Sequence, residues 1–315
     1  MLRFVLAPIA IAAGLTSFAA AALGVESCEL NGEHVNPNNG NTTASKTGLM
    51  RCRDGDGGPV VREQELKSGV FMGVVRHFDK DGALLREHRV NERGNRDGPA
   101  REYERPSAGA EPALVREETC RNGSSVGIVR TCYPAGPLKR VAFYGDDGRE
   151  LASAEFTKDG KLYELGCGPR PLLGPDADDA RWCGHAGGAS EVVLYNGTGE
   201  AKAKLVYERG ERRKSDFLSA GVVREQRETS DSGGVERSFY ESGKFVHEKR
   251  WKTGGRGDSQ PNGTHKRWDS EGRLPAESVD DERGRLTRER ELDASVKVVR
   301  DDEVFEDGSR MAFGK

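Results

Sequence analysis

The sequence predicts an all-β protein, built as an elongated antiparallel meander of β-hairpins tied by disulfides. The hydrophobic residues make up only 35% of the 315-residue chain, while 41 residues are glycine. A chain with so few large apolar side chains is a poor match for the buried parallel strands of a doubly wound enzyme. It suits many short strands, each with one solvated face, that are joined by glycine turns.

The charge balance excludes one class of partner. Lysine and arginine number 49 and the acidic residues 52, so the formal net charge is −3. Because neither sign dominates, we do not expect a nucleic-acid-binding protein.

The pattern of the first segment indicates an export signal. Arg3 precedes a long apolar run that ends in small residues, which is the pattern of a cleaved secretory signal peptide over residues 1–22. An uncleaved membrane anchor is one alternative, since the run is nearly long enough to span a bilayer. A lipoprotein anchored at Cys28 is another, although Glu26 fits that motif poorly. We therefore predict an exported protein with no integral membrane span after cleavage.

The cysteines agree with export, because an even number of them remains after the signal: Cys28, Cys52, Cys120, Cys132, Cys167 and Cys183. Many pairings are open, and pairing of sequence neighbours is the simplest. Cys120 and Cys132 lie symmetrically about the turn NGSSVG, so a hairpin would bring them face to face. A zinc site is the alternative, but the sequence has no C-x-x-C and only His185 lies close to a cysteine. We expect disulfides, with no metal and no cofactor.

One phrase of sequence recurs along the chain. It contains Gly-x-x-x-Gly, a short strand ending in an aromatic residue, a glycine turn and often leucine, as in GVFMGVVRHFDKDGALLRE and GTHKRWDSEGRLPAE. Glycine and asparagine tolerate positive φ in such turns, and aromatic and β-branched residues favour the flanking strands. One hairpin alone is marginal in water, so adjacent hairpins are expected to zip into an array.

The array is interrupted once, where Pro169, Pro171 and Pro175 cannot continue a central strand. We therefore predict a signal peptide (1–22), a disulfide-clasped cap (23–59), a first hairpin array (60–166), a Pro-rich disulfide-tied excursion (167–188) and a second array (189–315).

The repeat resembles the MORN-type repeat, in the degenerate variant found in secreted bacterial proteins called YwqK-family antitoxins. The resemblance rests on the aromatic-turn-Gly-Leu phrase and covers residues 60–165 and 190–315. It implies an antiparallel β-meander in the periplasm. Similar exported proteins accompany phospholipase toxins of type VI secretion, so the resemblance implies an immunity protein that binds and occludes such a lipase effector.

The sequence offers no catalytic motif, since H-E-x-x-H, G-x-S-x-G and the P-loop are all missing. We accordingly expect no enzyme and no catalytic residues. The excursion places Asp176, Asp178 and Asp179 beside Trp182, and we predict that these four residues form an acidic plug for a positive cleft on a protein partner. A structural or adhesive scaffold of the cell envelope is the alternative function.

Overall fold

The computed structural model describes residues 26–107, 109–134, 136–254 and 258–312. Within these ranges the chain forms 24 strands and two four-residue helices, and all strand pairs are antiparallel. The all-β hairpin fold is therefore confirmed. The predicted signal peptide, residues 1–22, lies outside the described residues.

The first sheet contains twelve strands, and its order follows the sequence from β12 back to β3, with β1 and then β2 beyond β3. The helix α1 (Gly40–Thr43) connects β2 to β3. Its strands are β1 (Glu26–Leu30), β2 (Glu33–Val35), β3 (Gly48–Asp54), β4 (Val60–Lys67), β5 (Val70–Phe78), β6 (Leu84–Val90), β7 (Arg96–Glu104), β8 (Ala113–Arg121), β9 (Ser124–Cys132), β10 (Leu138–Tyr144), β11 (Glu150–Phe156) and β12 (Leu162–Gly166). The segment predicted as a cap thus contributes β1–β3 to the same sheet.

The second sheet also contains twelve strands in sequence order, and the short β19 pairs with β18 beside this path. The helix α2 (Asp179–Trp182) precedes it. Its strands are β13 (Ser190–Tyr195), β14 (Ala201–Glu208), β15 (Glu211–Ser219), β16 (Val222–Ser230), β17 (Gly233–Phe239), β18 (Phe245–Thr253), β19 (Ser259–Pro261), β20 (Gly263–Arg267), β21 (Ala276–Asp280), β22 (Leu286–Leu292), β23 (Val298–Val304) and β24 (Arg310–Ala312).

Two kinds of turn explain the recurring glycine phrase. Between β8 and β9 the turn has two residues, Asn122 and Gly123, with φ angles of 49° and 93°. Between β5 and β6 the turn is longer, and Asp79 Oδ1 accepts hydrogen bonds from the backbone N–H groups of Asp81 and Ala83, both at 2.9 Å. Gly82 closes this turn with φ of 82°, a conformation that a side chain would strain.

A row of alternating charges crosses the first sheet, one residue per strand. The strand register places side by side Glu29, Arg51, Glu63, Arg76, Glu87, Arg101, Glu117 and Arg130. We call this row the charge ladder. Glu63 bridges two of its members, because its carboxylate lies 3.0 Å from Arg51 Nε and 3.3 Å from Arg76 Nη1. Opposite charges on neighbouring strands stabilise the pairing without an apolar layer.

The second sheet has a similar row of charged and polar residues, one on each strand that the row crosses: Lys204, Asp216, Gln226, Arg237, Glu248, Lys266, Glu277, Arg290 and Asp301. Arg237 donates hydrogen bonds to its neighbours on both sides, with Nε 2.8 Å from the Glu248 carboxylate and Nη1 2.8 Å from Gln226 Oε1. Ion pairs and hydrogen bonds between charged side chains therefore help to hold neighbouring strands together, because the chain has few large apolar side chains.

The largest apolar core lies where the two sheets meet. It combines Val141, Ala152, Ala154, Leu162 and Leu165 of the first sheet with Leu173, Ala177 and Cys183 of the excursion and with Val192, Leu194, Ala203, Leu205 and Tyr207 of the second sheet. The Tyr207 hydroxyl donates to the Leu165 carbonyl across this junction at 3.3 Å. A smaller core surrounds the disulfide between Cys28 and Cys52 and contains Leu30, Val35, Met50 and Leu66.

Candidate binding surface

The excursion between the two sheets is tied at several points. Cys167 and Cys183 form a disulfide with an S–S distance of 2.01 Å, and Cys183 is fully buried. The Cys183 carbonyl accepts a hydrogen bond from Gly210 N at 2.7 Å, which attaches the excursion to the turn between β14 and β15. The predicted disulfide is thus present, and the hydrogen bond from Gly210 attaches the excursion to the second sheet.

Asp179 is a structural residue of this segment. Its carboxylate is only 2% exposed, and Oδ2 accepts hydrogen bonds from the backbone N–H groups of Leu172 and Leu173, at 2.7 and 3.1 Å. A buried loop must satisfy its amide groups, and here a carboxylate does so. The expectation that Asp179 faces a partner is therefore corrected.

Asp176 is also engaged within the chain. Its Oδ2 lies 2.8 Å from Nε and 2.6 Å from Nη2 of Arg130, the last member of the charge ladder. The hydrogen bond that Arg130 donates to Asp176 raises the pKa of the guanidinium, which keeps this contact fully charged.

Asp178 and Trp182 differ in exposure. Asp178 is exposed and caps α2, accepting a hydrogen bond from Arg181 N at 3.3 Å. Trp182 is half-buried, packs on the core of the junction and lies with its ring 6.2 Å from that of Phe156. Asp178 as a helix cap and Trp182 as a packed indole both stabilise the excursion. The sequence pattern of acidic residues beside an aromatic residue does not indicate these roles.

The outer surface of the excursion is consequently not an acidic plug. Its exposed charges are Arg170, Asp178 and Arg181, so the two guanidinium groups outnumber the one carboxylate. A hollow of about 610 Å³ opens on this surface, between Arg170, Pro171, Leu172, Pro175, Asp178 and Ala180. The predicted charge is reversed because the other two carboxylates are used to build the loop.

The third predicted disulfide is wrong, since Cys120 and Cys132 are both free thiols. The two-residue turn places Cys120 opposite Ser125, whereas Cys132 pairs with Leu138 on β10. Cys132 lies seven residues beyond Ser125 along β9, or about 24 Å at roughly 3.4 Å per residue. Burial raises the pKa of both thiols, which keeps them protonated and poorly reactive. The Cys28–Cys52 disulfide is present, with an S–S distance of 2.09 Å.

One cluster of potential metal ligands occurs among the described residues, namely Glu26 with Cys28 and Cys52. The two sulfur atoms are joined in the disulfide, and a metal-binding cysteine must be a thiolate. These residues therefore do not offer a metal site as they stand.

Two disulfides fit a protein that folds in an oxidising compartment. Neither helix in the part of the chain that the structure describes is long and apolar enough to cross a membrane.

Comparison with known proteins gives no family. No family model and no curated protein matches the chain. Among solved structures, a complex of TcdB2, TccC3 and Cdc42 aligns at 12% identity over 90% of this chain and 19% of that one, with a TM-score of 0.20. A Tc holotoxin pore from Photorhabdus luminescens aligns at 10% identity over 85% of this chain and 20% of the matched chain, with a TM-score of 0.16.

A functionally unknown protein from Desulfotomaculum acetoxidans aligns at 9% identity over 80% of this chain and 91% of that one, with a TM-score of 0.13. The chain spans about a fifth of the length of the two toxin chains that it matches. TM-scores this low do not establish a common fold with any of the three.

Proposed function

We propose that the chain is an exported immunity protein that binds and occludes a secreted phospholipase-type toxin in the periplasm and catalyses no reaction itself. The repeat phrase and the signal-peptide pattern of residues 1–22 support this proposal, together with the two disulfides. A protein that acts by covering another needs a stable, preformed surface more than it needs reactive groups.

The observation that carries the proposal is the internal bracing of the excursion. Its backbone is held by the Cys167–Cys183 disulfide, by the Asp179 carboxylate and by the Arg130–Asp176 pair. Little conformational entropy remains to be lost when a partner binds to such a segment, which favours affinity. The excursion thus has the properties of a preorganised recognition element.

The exposed groups define what the partner surface must present. Arg170 lines the hollow beside the exposed Pro171 and Pro175. Arg181 is also exposed, with Nε 3.4 Å from the Asp178 carboxylate. Arginine is enriched among the residues that dominate binding energy. The partner surface should therefore carry carboxylates, with an apolar patch against Pro171 and Pro175. Occlusion would follow if this surface borders the toxin's active-site cleft.

The test is titration calorimetry of the mature chain with a candidate secreted phospholipase, together with an assay of that enzyme's activity. Tight binding with inhibition is expected. The double variant Arg170→Ala/Arg181→Ala should weaken binding by at least tenfold, since charge-assisted contacts are worth roughly 1.5–3 kcal/mol each. The matched control is Arg93→Ala/Arg283→Ala, which removes two exposed turn arginines on the sheets. A wild-type chain that neither binds nor inhibits any such enzyme would end the proposal.

A structural role in the cell envelope is the second candidate. The last strands expose several apolar side chains to solvent, including Val298 (45%), Val299 (62%) and Met311 (54%), and these side chains are available for contacts with other molecules. Loss of the gene should then disturb the envelope in cells that hold no toxin.

A further inference from the structure

A second concave site lies on the other sheet, at a position that the excursion does not reach. A hollow of about 480 Å³ opens across β18, β20, β21 and β22. Its floor is formed by the small side chains of β21, because Ala276 lies between Arg267 and Glu291 in the register, and Ser278 lies between His265 and Glu289. Small residues flanked by long ones on both sides leave a depression in the surface of the sheet.

The acidic side of this hollow is already neutralised. Glu289 lies 2.8 Å from Arg310 Nη2, and Glu291 lies 3.4 Å from Arg300 Nη1. Glu277 belongs to the charged row on the opposite face of the sheet, since side chains alternate along a strand, and it contacts Lys266 there at 3.8 Å.

Each imidazole group uses its Nδ1 in a hydrogen bond, whereas its buried Nε2 has no hydrogen-bond partner among the described residues. His265 accepts a hydrogen bond from Arg250 N at Nδ1, and its Nε2 lies 2.7 Å from the Asp280 carboxylate. His247 Nδ1 lies 2.9 Å from Ser238 Oγ, and its Nε2 lies 3.7 Å from Glu236. The two rings therefore form a wall of the hollow, and each places its Nε2 beside a carboxylate.

Two cations of the hollow differ from the groups described above. The side chains of Lys249 and Arg267 are exposed at the same wall, and neither forms a hydrogen bond or an ion pair with any residue that the structure describes, although Glu236 lies opposite Lys249 in the strand register. His247 and Arg267 are directly opposite in the strand register, and Lys249 follows His247 by two residues, so both cations project from one face. The hydroxyl of Ser278 adds a neutral donor on the floor.

From this arrangement we propose that the hollow binds a doubly charged oxyanion, the chemistry of a phosphate monoester. The planar guanidinium of Arg267 matches two phosphate oxygens, Lys249 supplies a second positive charge, and Ser278 donates from below. A volume of about 480 Å³ exceeds that of the anion alone, so the phosphate belongs to a small organic molecule or to a lipid headgroup. This inference does not depend on the proposed function, because it concerns another surface and another kind of ligand.

The experiment is titration calorimetry of the whole mature chain at low salt with inorganic phosphate and with glycerol 3-phosphate. Cosedimentation with vesicles that contain phosphatidic acid, compared with pure phosphatidylcholine, distinguishes the two sources. Binding of glycerol 3-phosphate supports a small-molecule ligand, and binding to phosphatidic acid vesicles alone supports a headgroup. Binding to none of these probes overturns the proposal.

The variants localise the site. Lys249→Ala and Arg267→Ala should each weaken binding roughly tenfold or more, as expected for loss of a charge-assisted contact. Lys67→Ala and Arg93→Ala, which remove exposed cations from the first sheet, should leave it unchanged. Ala276→Leu keeps every charge and fills the floor, so it should also abolish binding while circular dichroism and the thermal midpoint stay at wild-type values. Equal losses in the control variants would show that only nonspecific charge attraction is at work.

Discussion

The guanidinium of Arg130 and the carboxylate of Asp176 connect the charge ladder to the excursion, with Nη2 and Oδ2 2.6 Å apart. Arg130 also lies 4.0 Å from Glu117 on β8, but its neighbour on β10 is the buried Val141. Asp176 therefore takes the place of the acidic residue that the next strand lacks. The ladder ends on the segment that we propose as the recognition element.

Asp176→Asn should lower the free energy of unfolding by about 1 kcal/mol, because it weakens a charge-assisted hydrogen bond between partly shielded groups. Urea denaturation measures this change. Asp146→Asn is the matched control, since Asp146 pairs with Arg121 at a similar distance of 2.8 Å while its side chain is 88% exposed. A control variant that loses as much stability as Asp176→Asn would contradict this account.

Asp179→Ala should be far more harmful than Asp178→Ala, although the residues are adjacent. Removing the buried carboxylate leaves two amide groups without an acceptor, at a cost of about 3 kcal/mol. Removing the exposed helix cap should cost about 1 kcal/mol. Thermal unfolding of the two variants checks the order, and an equal loss in both would show that Asp179 does not support the loop.

Two thiols per chain should react with iodoacetamide when the protein is unfolded without reductant, namely Cys120 and Cys132. Mass spectrometry of the alkylated chain counts them. In the folded protein the reaction should be slow, because burial raises the pKa of both thiols. A count of zero would reveal a third disulfide and a different register around the β8–β9 turn.

Stability should fall between neutral pH and pH 4 through His88. Burial, with help from Arg96 and His77, lowers the pKa of this ring to about 4, and the side chain is only 9% exposed. In the unfolded chain the histidine has a pKa near 6.5, so it binds a proton there before it does so in the folded protein. The contribution of His88 to the free energy of unfolding is therefore complete above about pH 6.5 and declines until about pH 4. The expected loss is about 2–3 kcal/mol.

Urea unfolding at pH 7, 5 and 4 measures this slope for the wild type and for His88→Leu. In His88→Leu the free energy of unfolding should change little between pH 6.5 and 5, because few carboxylates titrate in that range. Replacement of the exposed His34 by Asn is the control and should retain the decline. An unchanged slope in His88→Leu would assign the effect to other groups.

The fold was largely predictable because it is set by local rules. The turn at Asp79–Gly82 and the turn at Asn122–Gly123 are both specified by the residues that form them. The sequence phrase does not show that the two turns differ in length, and this difference decides the strand register. A two-residue turn sets Cys120 against Ser125, so the symmetrical spacing of Cys120 and Cys132 about the NGSSVG segment was misleading.

The candidate sites were harder to predict because they depend on which charges remain unpaired. Three closely spaced aspartates suggested an acidic surface, yet Asp179 is buried and Asp176 reaches Arg130, 46 positions away. Lys249 and Arg267 lie among many similar cations in the sequence. The folded structure shows that neither forms an ion pair with a described residue, although Glu236 lies opposite Lys249 in the strand register.

The alternation of charge across the first sheet has an evolutionary consequence. Strands that run in one direction, such as β5 and β7, contribute arginine to the row, and strands that run in the other, such as β6 and β8, contribute glutamate. Insertion of a single strand would reverse the direction of every later strand and bring two like charges together. Gene duplication or deletion therefore preserves the alternation of charge when it adds or removes whole hairpins, two strands at a time.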